Sequence, residues 1–207
     1  MANEIRYHED LFAGTRAQLI ARVAQKISPK RLEHVLGVEE TAVALAEKYG
    51  ADVERASIAA LTHDYAKEFP AVAFIQEIKS SAMDPDLLNW GNNIWHGVVG
   101  AEFVKRDLGI TDPEILDAIR FHTIGAPKMD LLAQIIYVAD FIEPHRDFPG
   151  VEEVRKIAFA DLQEGVAAET KTTLEYLISK AVPIYPKTIL TYNYWVPRYL
   201  EGVNHHR

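Results

Sequence analysis

The chain has 207 residues, no cysteine and a formal net charge of −8 at pH 7, and 48% of its residues are hydrophobic. This length fits one large domain, and the missing cysteine excludes disulfides, thiolate metal ligands and cysteine nucleophiles. The acidic balance argues against a nucleic-acid partner, and without a membrane-length apolar run or a signal-peptide pattern at the first residues we expect a cytoplasmic protein.

Helical periodicity dominates the chain, and no Asn-Gly or Asp-Gly hairpin turn occurs. The pattern predicts a first amphipathic helix over residues 15–27. A second helix begins after Ser28, because serine is a good N-cap and Pro29 suits the first helical position. Gly50 is expected to end that helix.

A third helix is capped by Asp52 and is predicted to continue through His63 and Asp64. Prolines and glycines divide the remainder into shorter helices, predicted over 72–79, 87–90, 94–108, 111–123, 129–142, 151–159, 161–181 and 186–200. We find no repeat, low-complexity tract or linker. The sequence therefore predicts a single compact all-α bundle over 1–207, with residues 1–14 and 204–207 at its periphery.

Six polar residues interrupt the apolar faces of five of these predicted helices. They are four histidines and two aspartates, namely His34, His63, Asp64, His96, His122 and Asp140. A single histidine on an apolar face is usually a core residue satisfied by a backbone carbonyl. Asp140 fits such an explanation poorly, because it lies near a helix C-terminus, where the dipole disfavours an anion, and a buried unpaired carboxylate is costly. One shared metal site explains all six more economically.

Four imidazoles and two carboxylates exceed what one catalytic cation needs, and they suit two cations bridged by Asp64. The predicted division is His34, His63 and Asp140 on one cation, and His96 and His122 on the other. Nitrogen and oxygen ligands without sulfur favour iron or manganese, permit zinc and disfavour magnesium. Two such ions about 3.5–4 Å apart would supply a metal-bound hydroxide and hold both oxygens of a displacement at phosphorus.

Three short motifs accompany these residues, RxxHxxGV at 31–38, HDxAK at 63–67 and YVADxIEPxR at 137–146. With the order H…HD…D and two intermediate histidines, they resemble the HD-domain metal-dependent phosphohydrolases that hold a dinuclear centre. More narrowly, they are similar to the YqeK family, the bacterial HD-domain hydrolases of diadenosine tetraphosphate. The resemblance extends over about residues 15–195 and implies an all-helical fold, a di-iron-type centre, symmetrical cleavage to two ADP and a homodimer.

Four further residues are predicted to serve that reaction. Lys67 lies one turn after Asp64, so its ammonium can reach a phosphate at the same site, and we expect these two residues to take part in catalysis. Arg31 could form a fork of hydrogen bonds with phosphate oxygens, or an ordinary ion pair at the surface. Arg146, on the loop after the helix of Asp140, is predicted to contact phosphate, and Thr123 is a weaker candidate.

Three alternatives remain open from the sequence. The chain could be another HD phosphohydrolase, acting on (deoxy)nucleotides or (p)ppGpp. It could be a nucleotide sensor that uses the metal site for binding without turnover. It could also be a helical scaffold whose histidines are ordinary core residues, and such a protein would carry no stoichiometric metal.

Overall fold

The structure, a computed structural model, describes residues 5–199. This part of the chain contains eleven α-helices and one 3₁₀ turn, at Pro85–Asn89, and no β-strand. The helices are α1 Arg16–Ala24, α2 Pro29–Tyr49, α3 Val53–Thr62, α4 Ala71–Ser80, α5 Asn92–Val98, α6 Gly100–Leu108, α7 Pro113–Phe121, α8 Leu131–Ile142, α9 Val151–Ala160, α10 Leu162–Ser179 and α11 Pro186–Tyr199. The all-α prediction is confirmed, while residues 204–207 lie outside the described range.

The predicted bounds of the second helix are confirmed at both ends. The hydroxyl of Ser28 accepts a hydrogen bond from the backbone N–H of Arg31, and Pro29 occupies the first turn. At the other end Gly50 has φ of 75° and caps the helix in the left-handed conformation. These two signals fix the position of His34, because they set where α2 begins and ends.

Two predicted helices differ from the observed ones. The third was predicted to run through His63 and Asp64, but α3 ends at Thr62, so the pair lies in the turn that follows. The segment 94–108 was predicted as one helix and is instead α5 and α6, broken at Val99. Gly97 and Gly100, whose helix propensity is low, flank the break.

Helix α8 lies at the centre of the bundle. It packs against α2, α3, α7, α9 and α10, and it is buried on nearly every side. A helix that is apolar all round belongs in a core, and Leu132, Ile135, Ile136 and Val138 are each no more than 4% exposed. Asp140 therefore projects from the central helix towards the helices that carry the histidines.

A buried carboxylate on α2 connects this helix to α1 and α3. The carboxylate of Glu39 on α2 is 3% exposed and accepts hydrogen bonds from Arg16 Nε at 2.7 Å and Ser57 Oγ at 2.5 Å. A buried charge is tolerated when it is paired and hydrogen-bonded. The hydrogen bond from Ser57 connects α3, which ends just before His63, to α2, which carries His34.

The loop after α7 is held by α11, which is far away along the chain. Thr191 Oγ1 donates to the carbonyl of Ile124 at 2.9 Å, and Trp195 Nε1 donates to that of Ala126 at 2.8 Å. Between them Gly125 has φ of 63°, a left-handed conformation that suits glycine. No helix in residues 5–199 is both long enough and apolar enough to cross a membrane.

Candidate metal centre

The six side chains predicted as ligands meet in one place in the bundle. His34 comes from α2, His63 and Asp64 from the turn after α3, His96 from α5, His122 from the C-cap of α7 and Asp140 from α8. Their ligand atoms form three overlapping groups, in each of which all atoms lie within 4.8 Å of one another. Side chains from five helices thus share one small volume.

Asp64 lies in the middle of this cluster, and its side chain is only 3% exposed. Its Oδ2 lies 3.7 Å from Nε2 of His34 and 3.6 Å from Nε2 of His63. Its Oδ1 lies 3.4 Å from Nε2 of His96 and 3.7 Å from Nε2 of His122. Each carboxylate oxygen therefore faces a different pair of imidazoles, which is the arrangement that a bridging carboxylate needs.

The second aspartate belongs to only one of these pairs. Asp140 Oδ1 lies 3.1 Å from Nε2 of His34 and 3.9 Å from Nε2 of His63. The His34 side of the cluster consequently has two imidazoles and two carboxylates, whereas the other side has two imidazoles and the single Asp64 oxygen. The two halves are unequal in charge and in number of donors.

Hydrogen bonds at Nδ1 fix the orientation of three of the rings. Each ring lies against a backbone carbonyl three or four residues earlier, which can only accept, so Nδ1 carries the proton. The three bonds are His63 to Ala60 O at 2.6 Å, His96 to Asn92 O at 2.5 Å and His122 to Ile119 O at 2.8 Å. In a neutral ring of this kind Nε2 is left with a lone pair that points into the cluster.

The fourth ring, that of His34, is oriented by a carboxylate. Its Nδ1 donates to Glu143 Oε1 at 3.1 Å. Burial alone would lower the pKa of His34, but contacts with Asp140 and Glu143 raise it. Glu143 was not among the predicted site residues, although it lies within the third sequence motif.

The Nε2 atoms are the clearest sign that the cluster fits metal cations. His34 and His63 leave Nε2 buried without a hydrogen-bond partner in the part of the chain that the structure describes. The Nε2 atoms of His96 and His122 lie 3.0 Å apart, each facing the other. Lone pairs that face one another repel unless a cation or proton lies between them. A first-row metal cation suits this position, because such metals bind imidazole nitrogens together with carboxylate oxygens.

The electrostatics of the cluster favour the protonation states that cation binding requires. Burial lowers the pKa of His63 to about 4 and that of His96 to about 3, so both rings are neutral at pH 7. Burial alone would raise the pKa of Asp64, yet the imidazoles around it, His63 first, hold it well below its usual range. Contact with His34, together with the charges of His63 and Arg146, similarly outweighs burial and lowers the pKa of Asp140. Neutral imidazoles and ionised carboxylates are the forms that bind metals.

Two arginines predicted to contact substrate lie against the cluster's carboxylates. Arg31 Nη1 donates to Asp64 Oδ2 at 3.0 Å, so its ion pair is with a cluster residue rather than with a surface glutamate. Arg146 donates to Asp140 Oδ1 from Nη2 at 2.8 Å and to the Asp140 carbonyl from Nε at 3.1 Å. Both guanidinium groups are thus adjacent to the predicted metal ligands.

Lys67 and Thr123 also adjoin the cluster. Lys67 Nζ lies 3.1 Å from Nε2 of His96, and burial lowers the pKa of this ammonium group. Thr123 follows His122, and its Oγ1 is buried with no hydrogen-bond partner among residues 5–199. Arg31, Arg146 and Lys67 therefore each contact a predicted ligand, and Thr123 follows the ligand His122 directly along the chain.

Comparisons with known proteins agree with this geometry. Residues 31–145 match the HD domain family. The chain is similar to proteins named symmetrical bis(5'-nucleosyl)-tetraphosphatase from Bacillus subtilis, with 47% identity over 87% of this chain and 97% of that one, and from Staphylococcus aureus, with 36% identity over 83% and 89%. A crystal structure from Clostridium acetobutylicum, described as a predicted HD superfamily hydrolase involved in NAD metabolism, matches with a TM-score of 0.84 and 36% identity over 89% of this chain and 98% of that one.

Proposed function

Since the chain belongs to the HD domain family and, within it, to the symmetrical bis(5'-nucleosyl)-tetraphosphatases, we propose that it hydrolyses diadenosine tetraphosphate and related dinucleoside polyphosphates. Symmetrical cleavage of this substrate yields two molecules of ADP. The observation that supports the proposal most directly is the convergence of four imidazole Nε2 atoms on the two oxygens of Asp64. Such a bridging carboxylate suits a phosphohydrolase that uses two cations.

We infer that the centre binds two cations, and the unequal halves of the cluster support different affinities for them. We assign His34, His63, Asp140 and one oxygen of Asp64 to the first cation, and His96, His122 and the other oxygen of Asp64 to the second. The first has four protein donors and the second has three, so the second keeps more positions open for substrate. Iron is our first expectation for both, because the donors are nitrogen and oxygen, with manganese and zinc as alternatives.

In the proposed reaction a water oxygen forms a bond to one of the two inner phosphorus atoms. The bond from that phosphorus to the central bridging oxygen breaks, the second ADP leaves with that oxygen, and the protons of the water pass to solvent or to the product phosphates. Cations at the centre would lower the pKa of the attacking water and neutralise charge that develops on the phosphoryl oxygens. Asp64 would hold the two positions at a fixed separation.

The surrounding side chains would bind and orient the polyphosphate. The side chains of Arg31 and Arg146 are 30% and 35% exposed, more than those of the aspartates they contact, so their outer edges can reach substrate. A guanidinium group matches two phosphate oxygens at once. We assign Lys67 to the phosphoryl group nearest His96, and the unpaired Thr123 hydroxyl to another phosphoryl oxygen. A homodimer and a cytoplasmic location remain predictions from the sequence.

The test is incubation with diadenosine tetraphosphate and iron(II) or manganese(II), followed by anion-exchange chromatography of the products. We expect ADP alone. Formation of ATP and AMP would contradict symmetrical cleavage. Faster turnover of a deoxynucleotide or of (p)ppGpp would favour those alternative substrates. Metal-dependent nucleotide binding without turnover would favour a sensor.

Replacing Asp64 with Ala separates these interpretations further. The Asp64→Ala protein should lose bound metal and activity together. Removing a residue that only hydrogen-bonds to a metal ligand lowers metal affinity or activity roughly 10–100-fold, and removing a ligand should lower both by more. Asp117→Ala is the matched control, because Asp117 is exposed and pairs with Arg120 away from the centre. Retained activity in the Asp64 variant would contradict the proposal.

A further inference from the structure

Glu143 lies immediately after α8 and is 2% exposed, and both oxygens of its carboxylate take part in hydrogen bonds. Its Oε1 accepts from Nδ1 of His34 at 3.1 Å. Its Oε2 lies 2.7 Å from the backbone N–H of His145 and 3.1 Å from Nδ1 of the same residue. The loop thus holds one oxygen of Glu143 so that the other is presented to His34.

Two carboxylates near the C-terminal end of α8 consequently face the two nitrogens of the His34 ring. Asp140, on the last turn of α8, faces Nε2 at 3.1 Å, and Glu143, three residues later, faces Nδ1 at the same distance. The ring cannot rotate out of the cluster without losing its hydrogen bond to the buried carboxylate of Glu143. The arrangement couples α2 to the C-terminal end of α8.

Gly37 leaves the space that this contact needs. It lies one turn after His34 on α2, and a Cβ atom at this position would lie 2.6 Å from Glu143 Oε2 and 3.0 Å from His145 Nδ1. Real Cβ atoms essentially never approach that closely, so any larger residue would displace the carboxylate. Glycine in the interior of a helix costs about 1 kcal/mol relative to alanine, and the Glu143 contact gives this glycine a reason to be there.

We propose that Glu143 is a positioning residue that fixes the His34 ring for cation binding, and that Gly37 is required only to admit Glu143. The inference rests on the proposed metal centre and adds two residues to it that touch neither cation nor substrate. A carboxylate behind a histidine ligand fixes the ring and raises the basicity of its free nitrogen, and loss of such a partner weakens metal binding roughly 10–100-fold.

The first experiment measures manganese affinity by isothermal titration for the wild type and for Glu143→Gln. Glutamine keeps the shape of the side chain but has one oxygen, so it cannot accept from His34 and from the His145 loop together. We expect the tighter of two binding events, assigned to the His34 side, to weaken about 10–100-fold while the other changes little. Metal-free melting temperatures and far-UV circular dichroism show whether the variant is folded.

Matched controls use the same types of substitution away from this contact. Glu47→Gln changes an exposed carboxylate near the other end of α2. Gly100→Ala changes a helical glycine whose added Cβ would meet nothing closer than 3.4 Å. Neither control should change manganese affinity by more than about twofold, whereas Gly37→Ala should weaken it as Glu143→Gln does, despite the gain in helix propensity.

A double-mutant cycle of Gly37→Ala and Glu143→Ala tests the link between the two residues. If Gly37 acts only by admitting Glu143, the double variant should bind manganese no more weakly than Glu143→Ala alone. An equal loss from Gly37→Ala with and without Glu143 would overturn the role of Gly37. Unchanged affinity in Glu143→Gln would overturn the inference while leaving the proposed function intact, and a wild type that binds no metal would overturn both.

Discussion

Each imidazole in the centre presents Nε2, because a hydrogen bond occupies Nδ1. For His63 and His122 the acceptor is a carbonyl in the last turn of the helix just before the ring. Carbonyls in the last turn have no partner within their helix. The ends of α3 at Thr62 and of α7 at Phe121 therefore free the acceptors that orient the two rings. Helix termination at these two residues is part of how the site is built.

Thr123 allows a prediction in which stability and activity move in opposite directions. Thr123→Val keeps the shape of the side chain and removes a buried hydroxyl that has no partner within the described range. Stability should stay the same or rise by about 1 kcal/mol, while kcat/KM for diadenosine tetraphosphate should fall roughly 10–100-fold if the hydroxyl donates to a charged phosphoryl oxygen. Thermal melts and steady-state kinetics measure the two effects.

The control for Thr123 is Thr172→Val, since Thr172 Oγ1 donates to the Ala168 carbonyl within α10. It should leave kcat/KM unchanged. Unaltered kinetics in Thr123→Val would show that the hydroxyl does not contact substrate.

Periodicity could identify the six predicted ligands, because a polar residue among apolar neighbours on one helix face is visible in a sequence. It could not identify Glu143, which lies just beyond α8 in a loop where helical periodicity no longer applies. The ion-pair partners of Arg31 and Arg146 could not be predicted from the sequence either. They depend on where other helices bring Asp64 and Asp140, and spacing along one helix contains no such information.

Among the helices, α11 has a supporting role that no local pattern indicates. Its Thr191 and Trp195 bind the carbonyls of Ile124 and Ala126, just after the ring of His122. The loop that leaves α7 is therefore held in place by the helix at the far end of the described chain. This support determines the direction in which the end of α7 faces.

Gly125→Ala should break this support. A Cβ atom there would lie 2.4 Å from Thr191 Cγ2, and φ of 63° is unfavourable for alanine. Strain and overpacking together should cost about 2–4 kcal/mol, measured by urea unfolding. Adding Thr191→Ser removes the clashing methyl and keeps the hydroxyl, so the double variant should recover part of the loss. No recovery would mean that the backbone conformation accounts for all of it.

Element boundaries were predictable where the cause is local. Ser28 and Asp52 cap α2 and α3 through their own side chains, which a sequence reveals. Gly97, just before the break between α5 and α6, also lies close to another helix. A Cβ at Gly97 would lie 3.1 Å from the carbonyl of Ile119, so the close approach of α5 to α7 shapes this region. Such an approach cannot be inferred from residues 94–108 alone.

For the whole molecule, the centre connects helices that are far apart in sequence. Its side chains run from His34 to Asp140 along the chain. The buried Asp64, the partly exposed Asp140 and four imidazoles are stable together in one volume only when the charges are compensated. Cation binding should therefore contribute to the stability of the entire bundle.

Metal removal should lower the melting temperature. A cation present at about 1,000 times its dissociation constant adds about 4 kcal/mol, which corresponds to roughly 8–16 °C for a protein of this size. Calorimetry of chelator-treated protein before and after manganese addition measures the shift. Asp64→Ala should not respond to manganese, and a wild-type melting temperature independent of manganese would contradict the expectation.

The pH dependence of metal-free stability follows from the lowered pKa values of His63 and His96, about 4 and about 3. In the unfolded chain these rings titrate near 6.5, so below that pH the unfolded state binds more protons and stability falls. Between pH 6.5 and 4 the free energy of unfolding should drop by about 1–3 kcal/mol per pH unit. The raised pKa of His34 acts above pH 6.5, where the stability that it contributes is lost as the pH rises.

Urea unfolding of chelated protein at several pH values checks this slope. His96→Gln removes one of the two rings and should make the slope shallower by up to about 1.4 kcal/mol per pH unit. A slope unaffected by this change would mean that other groups control the acid sensitivity.

Because α11 supports the loop beside His122, the order of synthesis has a consequence for the cell. A ribosome releases His34 early, Asp140 much later and residues 186–199 last among the described helices. Until that last helix is made, the loop that follows His122 lacks the two hydrogen bonds from Thr191 and Trp195. We therefore expect the six side chains to assume their final arrangement only after α11 has been synthesised and has packed.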